Sequence, residues 1–310
     1  MAPPPPSNGS LVERLKSLAQ TLQFAWFIGH VTLLGAVFRY LLSYVTFNYY
    51  SGAAQVSYRL AFVSAAATYG IVVYKGHIAR GRLQGSLPSV LLKLAGDENV
   101  QYLGKLTPYH ELCGDLGPLR LLTFAISGMA LVWLYSRQVP LALLPFSIYS
   151  IFHVATYTRA HLIPTIQPSN GPAGSPASPS GSRSGAKQSP LAETIGRFVK
   201  QYYDASMDLV AGLEIALLFR LAVAILTFSK GSILLFFIYL AFFRARFTQS
   251  TFVQQSIRHF TARVDASVSH QSTPPAVRQA WQAFKDGVRQ AYQATDVSRF
   301  TSGTGAKKPQ

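Results

Sequence analysis

Residues whose types and spacing could do chemistry are few in this chain of 310 residues, and they fall in two places. His110 and Asp115 stand with four residues between them. Glycerolipid acyltransferases use that spacing to set a histidine general base beside an orienting aspartate. No basic or glycine-rich phosphate-binding block follows, so the pair is expected to be a coincidence. The same stretch fails as a zinc motif, because HExxH needs a histidine where Gly114 stands. His77, His110, His153 and His161 show no tight ligand spacing. No metal, cofactor or catalytic residue is expected, and no P-loop, dinucleotide fingerprint or nucleophile elbow is found. The second place is Arg39, Glu214 and Arg220, each inside an apolar run. A charge at mid-bilayer costs at least about 2.5–3.5 kcal/mol unless it is paired or near an interface. These three are expected to snorkel or to form an interhelical pair, Glu214 with Arg39 or with Arg220. Two alternatives stay open: a membrane-embedded lipid acyltransferase using His110 and Asp115, and a small transporter using Arg39, Glu214 and Arg220.

The elements that must position these residues are membrane helices. Only 13% of residues are charged, yet 28 Lys and Arg outnumber 12 Asp and Glu, for a net charge of +16. Such an excess belongs in loops on one side of a bilayer, near anionic headgroups, rather than on nucleic acid. The single cysteine, Cys113, makes no internal disulfide. No cleavable signal peptide is expected. The stretch from Leu119 to Tyr157 holds two apolar runs around Ser136–Pro140. Each has about 17–19 residues, or roughly 25–29 Å of helix. Similar pairs run from Leu22 to Phe47 and Val56 to Tyr74, and from Leu209 to Phe228 and Ile233 to Phe243. Ser10-Leu11-Val12-Glu13 matches a capping box, so a helix should start there. The expected fold is therefore an all-α integral membrane protein of three helical membrane hairpins plus C-terminal amphipathic helices. Its divisions are a cytosolic leader and short helix (1–21), hairpins one and two with a cytosolic loop (22–164), a disordered Pro/Ser/Gly linker (165–190), hairpin three (191–247) and a basic tail (248–310). The long basic loops share one side, so both termini are expected in the cytosol. No sequence repeat is read beyond the recurrence of hairpins.

The tail carries the strongest functional pattern. Val253, Ile257, Phe260 and Val264 share one helical face, and Val277, Trp281, Phe284, Val288 and Tyr292 share another. Arg278, Lys285 and Arg289 flank the second. Thr273-Pro274-Pro275 separates the two helices. Aromatic and aliphatic groups opposite arginine and lysine suit a helix lying in a membrane interface, here anionic and curved, and folding on contact. An import receptor is the other partner that a basic tail suits. Lys307 and Lys308, four and three residues from the end, resemble a dilysine retrieval signal of endoplasmic-reticulum membrane proteins.

Two stretches carry a family resemblance. Phe24-Ala25-Trp26-Phe27-Ile28-Gly29-His30 in the first span, and Asp97-Glu98-Asn99-Val100-Gln101-Tyr102-Leu103 in the cytosolic loop, resemble the transmembrane protein 33 family, including its fungal pore-membrane branch. The resemblance covers roughly Leu11 to Thr261, and the Pro/Ser linker looks like an insertion. It implies a non-enzymatic protein of the endoplasmic reticulum and nuclear envelope. It implies work in nuclear pore complex biogenesis and distribution and in tubule shaping. The implied partners are nucleoporins, reticulon-type proteins and a karyopherin.

Overall fold

Local signals in the sequence set the first three helices. The computed structural model describes residues 10–75, 129–167 and 189–294. His110, Asp115, the Asp97–Leu103 motif, most of the Pro/Ser linker, Lys307 and Lys308 lie outside them. Among the described residues the regular structure is helical throughout. α1 spans Leu11–Ala19. Its capping box forms as the sequence predicts: the Glu13 N–H donates to Ser10 Oγ (3.3 Å) and the Ser10 N–H to Glu13 Oε2 (2.8 Å). α2 spans Leu22–Val45 behind a Thr21 cap that accepts from the Phe24 N–H at 3.1 Å. Its 24 residues make about 36 Å of helix, enough for a hydrocarbon core. α3 spans Gly52–Val73 behind a Ser51 cap.

α2 and α3 pack along one another. Ala54, Ser57, Tyr58, Ala61, Ser64, Ala65 and Thr68 are buried on α3. Small and hydroxylated side chains at such a seam let two backbones approach closely inside a membrane. Gly29 marks the tightest point: a β-carbon there would sit 2.5 Å from the Thr68 γ-methyl. The Phe24–His30 motif therefore has a packing explanation. Trp26 lies edge-on to His30 (4.5 Å) and His153 (4.9 Å), Phe27 stacks on Tyr157 (4.6 Å), and Gly29 admits α3.

α4 covers Met129–Tyr135. A 3₁₀ turn at Pro140–Ala142 leads into α5, Leu143–Tyr157. A π-helical turn at Thr158–Leu162 and the short α6, Ile163–Ile166, continue it. The helical run thus reaches past both the expected end at Tyr157 and the expected linker start at 165. α7 is one helix of 37 residues, Pro190–Leu226, with Pro190 in its first turn. The sequence reading split this stretch into a mixed segment and a membrane arm. Nothing after Pro190 interrupts it, because Gly196 and Gly212 stand alone and glycine weakens a helix without breaking it. α8, Ser232–Gln249, likewise runs past the expected end at Phe243. α9 spans Thr251–Val268 and α10 spans Pro275–Ala294. The expected break at Thr273–Pro275 is present.

Four helical runs are long and apolar enough to cross a membrane: α2, Pro140–Ile166, α7 and α8. Six such arms were expected. α3 falls short among the described residues because its buried seam is small and polar, and residues 119–128 of another arm are not described. The chain divides into two compact units, residues 1–254 and 255–310.

Chain direction alternates in the first unit. His30 on α2 meets Ser150 on α5, and Tyr40 meets Gln138 before α5, so these helices are antiparallel. Phe152 on α5 meets Phe198 and Tyr203 on α7, while Pro145 and Phe146 share a small cavity with Glu214 and Leu217. α7 is therefore antiparallel to α5 and parallel to α2. The turns after α2 and α7 lie at the same end.

Those two turns share a sequence and a geometry, a repeat that the sequence reading missed. They read Thr46-Phe47-Asn48-Tyr49-Tyr50-Ser51 and Thr227-Phe228-Ser229-Lys230-Gly231-Ser232. In each, the Phe N–H donates three residues back (Phe47 to Tyr44 O, 3.1 Å; Phe228 to Ile225 O, 2.9 Å). The next N–H donates five residues back (Asn48 to Ser43 O, 2.8 Å; Ser229 to Ala224 O, 3.2 Å). Each closes with a serine N–H donating to the residue three before it. Phe47 and Phe228 take φ of 56° and 50°, a left-handed conformation that costs a non-glycine residue about 1–3 kcal/mol.

Candidate functional site

Glu214 enters α7 as a carboxyl group in an apolar helix, and the fold supplies its partner from α8. Arg246 Nε donates to Glu214 Oε1 at 3.2 Å, with both side chains nearly excluded from the surface. Arg246 Nη2 also donates to the Tyr149 hydroxyl (3.3 Å), and the Tyr239 hydroxyl donates to the Glu214 backbone oxygen (2.9 Å). An interhelical pair was expected, but with Arg39 or Arg220. Both of those arginines are exposed on the outer faces of α2 and α7. The sequence reading left Arg246 beyond the last apolar arm, which it ended at Phe243. The pair of Glu214 and Arg246, with Tyr239 bonded to the one and Tyr149 to the other, links α5, α7 and α8. His30 packs against His153 with ring centroids 4.6 Å apart, its Nδ1 2.9 Å from Ser150 Oγ. Among the described residues no group of three or more His, Cys, Asp or Glu side chains is brought together.

The second unit is built around one carboxylate that sequence reasoning counted only as a charge. Asp265 Oδ1 accepts from Trp281 Nε1–H at 2.6 Å and from Lys285 Nζ at 2.8 Å. The Lys285 ammonium also sits 5.8 Å from the centre of the Trp281 ring, which stacks on Phe284 at 5.5 Å. These contacts clip α9 and α10 into a helical pair. The ammonium of Lys285, and then the indole N–H, hold the Asp265 carboxyl below its ordinary range. Both helices are thus formed and joined in the protein itself, whereas folding on contact was expected.

The expected membrane-facing residues separate into groups. Val253 is fully buried and belongs to the first unit's core, because α9 begins inside that unit. Ile257 and Val264 are half-buried, and Phe260 is exposed. On α10, Val277, Phe284, Val288 and Tyr292 are exposed, while Trp281 is half-covered. Of the basic flank, Lys285 is engaged by Asp265, and Arg278 donates twice to the Thr273 backbone oxygen (2.9 and 3.3 Å). Arg289 is exposed. What remains is an apolar stripe beside cations in a helix with no buried residue. A signal for Asp265 was present in the sequence: it is the sole acid of α9, within a turn of that helix's end at Val268.

Comparison with known proteins identifies the family. Residues 127–292 match the family model described as transmembrane protein 33/nucleoporin POM33. The chain is 48% identical to nucleoporin POM33 of Chaetomium thermophilum over 309 residues, covering 99% of each chain. It is 29% identical to tetra-spanning protein 1 of Schizosaccharomyces pombe, covering 96% of this chain and 92% of that one. It is 28% identical to the pore membrane protein of 33 kDa of Saccharomyces cerevisiae, covering 91% and 87%. No solved structure matches. A multi-pass helical bundle with a small-residue seam, a neutralised intramembrane acid and a basic amphipathic tail is thus the form that this sequence takes as a member of the transmembrane protein 33/nucleoporin POM33 family.

Proposed function

We propose that this chain helps to form and distribute nuclear pore complexes and to shape curved membrane, with its tail as the device that reads curvature. It is a non-enzymatic, multi-pass protein of the pore and endoplasmic-reticulum membrane. The observation that carries the finer reading is the exposed stripe Val277, Phe284, Val288 and Tyr292 on α10, beside Arg289. Apolar side chains that slip beneath headgroups respond to packing defects, and such defects multiply on curved membrane. The bundle contributes area of its own through the consecutive helices α2–α3 and α7–α8, acting as hairpins. Both termini are cytosolic in this reading, and Lys307 and Lys308 serve as a retrieval signal. The basic tail also suits an acidic import receptor, and nucleoporins and reticulon-type proteins are the further partners.

Imaging of the tagged protein, full length and lacking 255–294 so that Lys307 and Lys308 are kept, against pore and tubule markers tests this. The full-length protein is expected at pores and tubules. The truncated protein is expected to remain in the endoplasmic reticulum and lose its enrichment at pores. Identical distributions of the two would remove the tail from targeting.

A further inference from the structure

The matched turns after α2 and α7 carry more than their hydrogen bonds. Each is preceded, seven residues before its threonine, by an arginine: Arg39 before Thr46 and Arg220 before Thr227. The two arginines lie at the same depth, about 9 Å in from the ends of their helices at Val45 and Leu226. Both are exposed on faces that the bundle turns outward. Arg59 on α3 lies at a matching depth, seven residues in from Gly52. The Tyr58 phenol is within electrostatic range of Arg59 and of Arg220. The Arg59 Nη1 atom is buried and has no hydrogen-bond partner among the described residues. Arg137 and Lys230 add charge in the connecting segments, and the acid of α7 nearest this end, Glu214, lies six residues deeper than Arg220 and is engaged by Arg246.

At the tips, Phe47 is 87% exposed and Phe228 93% exposed. Two large apolar rings held outward in a left-handed conformation gain nothing from the protein. A strained residue that the fold keeps twice, in the same turn, points to a role outside the fold. Around the same turn Tyr44, Tyr49 and Tyr50 crowd on one another, as aromatic side chains do at a membrane interface.

We propose that this end of the bundle binds the phosphate headgroups of lipids in the leaflet it faces. Arg39, Arg59 and Arg220 snorkel to the phosphate plane, and Phe47 and Phe228 insert between headgroups. The ligand class is the phosphate of a phospholipid, with anionic species preferred because five cations stand there and the nearest acid of α7 is engaged by Arg246. The site shares no residue with the tail.

Native mass spectrometry of the full-length protein, stripped of lipid and titrated with dioleoyl phosphatidylinositol or dioleoylglycerol, tests the proposal. The protein is expected to retain phosphatidylinositol and not dioleoylglycerol, which lacks phosphate. The double change Arg39→Gln with Arg220→Gln should reduce retention by about fivefold for each arginine. Both side chains are exposed, so the fold should survive. Phe47→Gly with Phe228→Gly supplies a second readout. Glycine accepts the positive φ without strain, so heat stability in detergent should hold or rise while lipid retention falls. Equal retention of the two lipids, or undiminished retention by the arginine variant, overturns the site. Stripping of phosphatidylinositol by millimolar inorganic phosphate, as complete as that by the arginine change, overturns the lipid as its source.

Discussion

The two acid–base clips of this molecule, Glu214 with Arg246 and Asp265 with Lys285, use the same chemistry in opposite surroundings. The first is buried between membrane helices, with its charged atoms nearly excluded from solvent. The second is on the surface of the tail, with 42% of the Asp265 side chain exposed. Water and salt screen the second, so it can open and close at little cost. The first has no such freedom, because either charge left alone would be stranded in a low-dielectric interior. The contrast separates a part that must stay assembled from a part that can rearrange when it meets a membrane or a partner.

The largest expected effect follows from breaking the buried clip on one side. Glu214→Gln leaves Arg246 charged and buried, and should destabilise the bundle by about 3–5 kcal/mol. Replacing both, Glu214→Leu with Arg246→Met, should recover much of that loss, since a hydrophobic pair of similar volume is often neutral. Thermal unfolding of the purified variants in detergent checks both. A single change as mild as the double would mean that the pair is not what joins α7 to α8.

Part of this bundle was legible before any coordinates. Hydropathy placed α2, the end of α7 and the start of α8 within a few residues, and Ser10 with Glu13 fixed the start of α1. The partner of Glu214 was not legible, for a physical reason. α8 was expected to end at Phe243, where the apolar run gives way to Arg244 and Arg246. The helix continues because Arg246 meets an acid on another helix, which no local pattern reveals. The Phe47 and Phe228 turns were legible but overlooked, since a six-residue repeat separated by 181 positions does not register as periodicity. The tail was half-legible. Its stripes follow from 3.6-residue spacing, but spacing does not tell which helix face the chain itself covers, so Val253 was misplaced.

The stripe gives the next effect. Phe284→Glu with Val288→Glu removes two exposed side chains from the apolar face and leaves the contacts of Asp265 intact. At about 1.5 kcal/mol or more for each side chain, binding of the 255–310 unit to small anionic liposomes should fall by roughly a hundredfold or more. Trp281→Glu with Phe284→Glu should abolish it and open the clip as well. Arg278→Ala with Arg289→Ala should only weaken binding and flatten its salt dependence. Flotation across a salt series separates the three. If the glutamate variants float as well as the parent, the tail is a protein-binding segment, and an import receptor is the first partner to test.

The smallest effect concerns the exposed clip. The folded carboxyl of Asp265 titrates below its ordinary value, because Lys285 and the Trp281 indole favour its charged form. Its contribution to pairing α9 with α10 is therefore fully present above the unfolded value of roughly 4, and is lost as pH falls through the lower folded value. Between pH 5 and pH 8 the pairing should not change with pH on this account. Asp265→Asn should reproduce the acid form at neutral pH. It removes the charge facing Lys285 and frees Trp281, so the variant should bind anionic vesicles somewhat more tightly than the parent. Trp281 fluorescence gives the readout, since the indole leaves a carboxylate for solvent or lipid. An emission spectrum of Asp265→Asn identical to the parent's at neutral pH, in a tail that stays helical, would show that the carboxylate does not hold Trp281. The pairing of α9 and α10 would then rest on their apolar contacts alone.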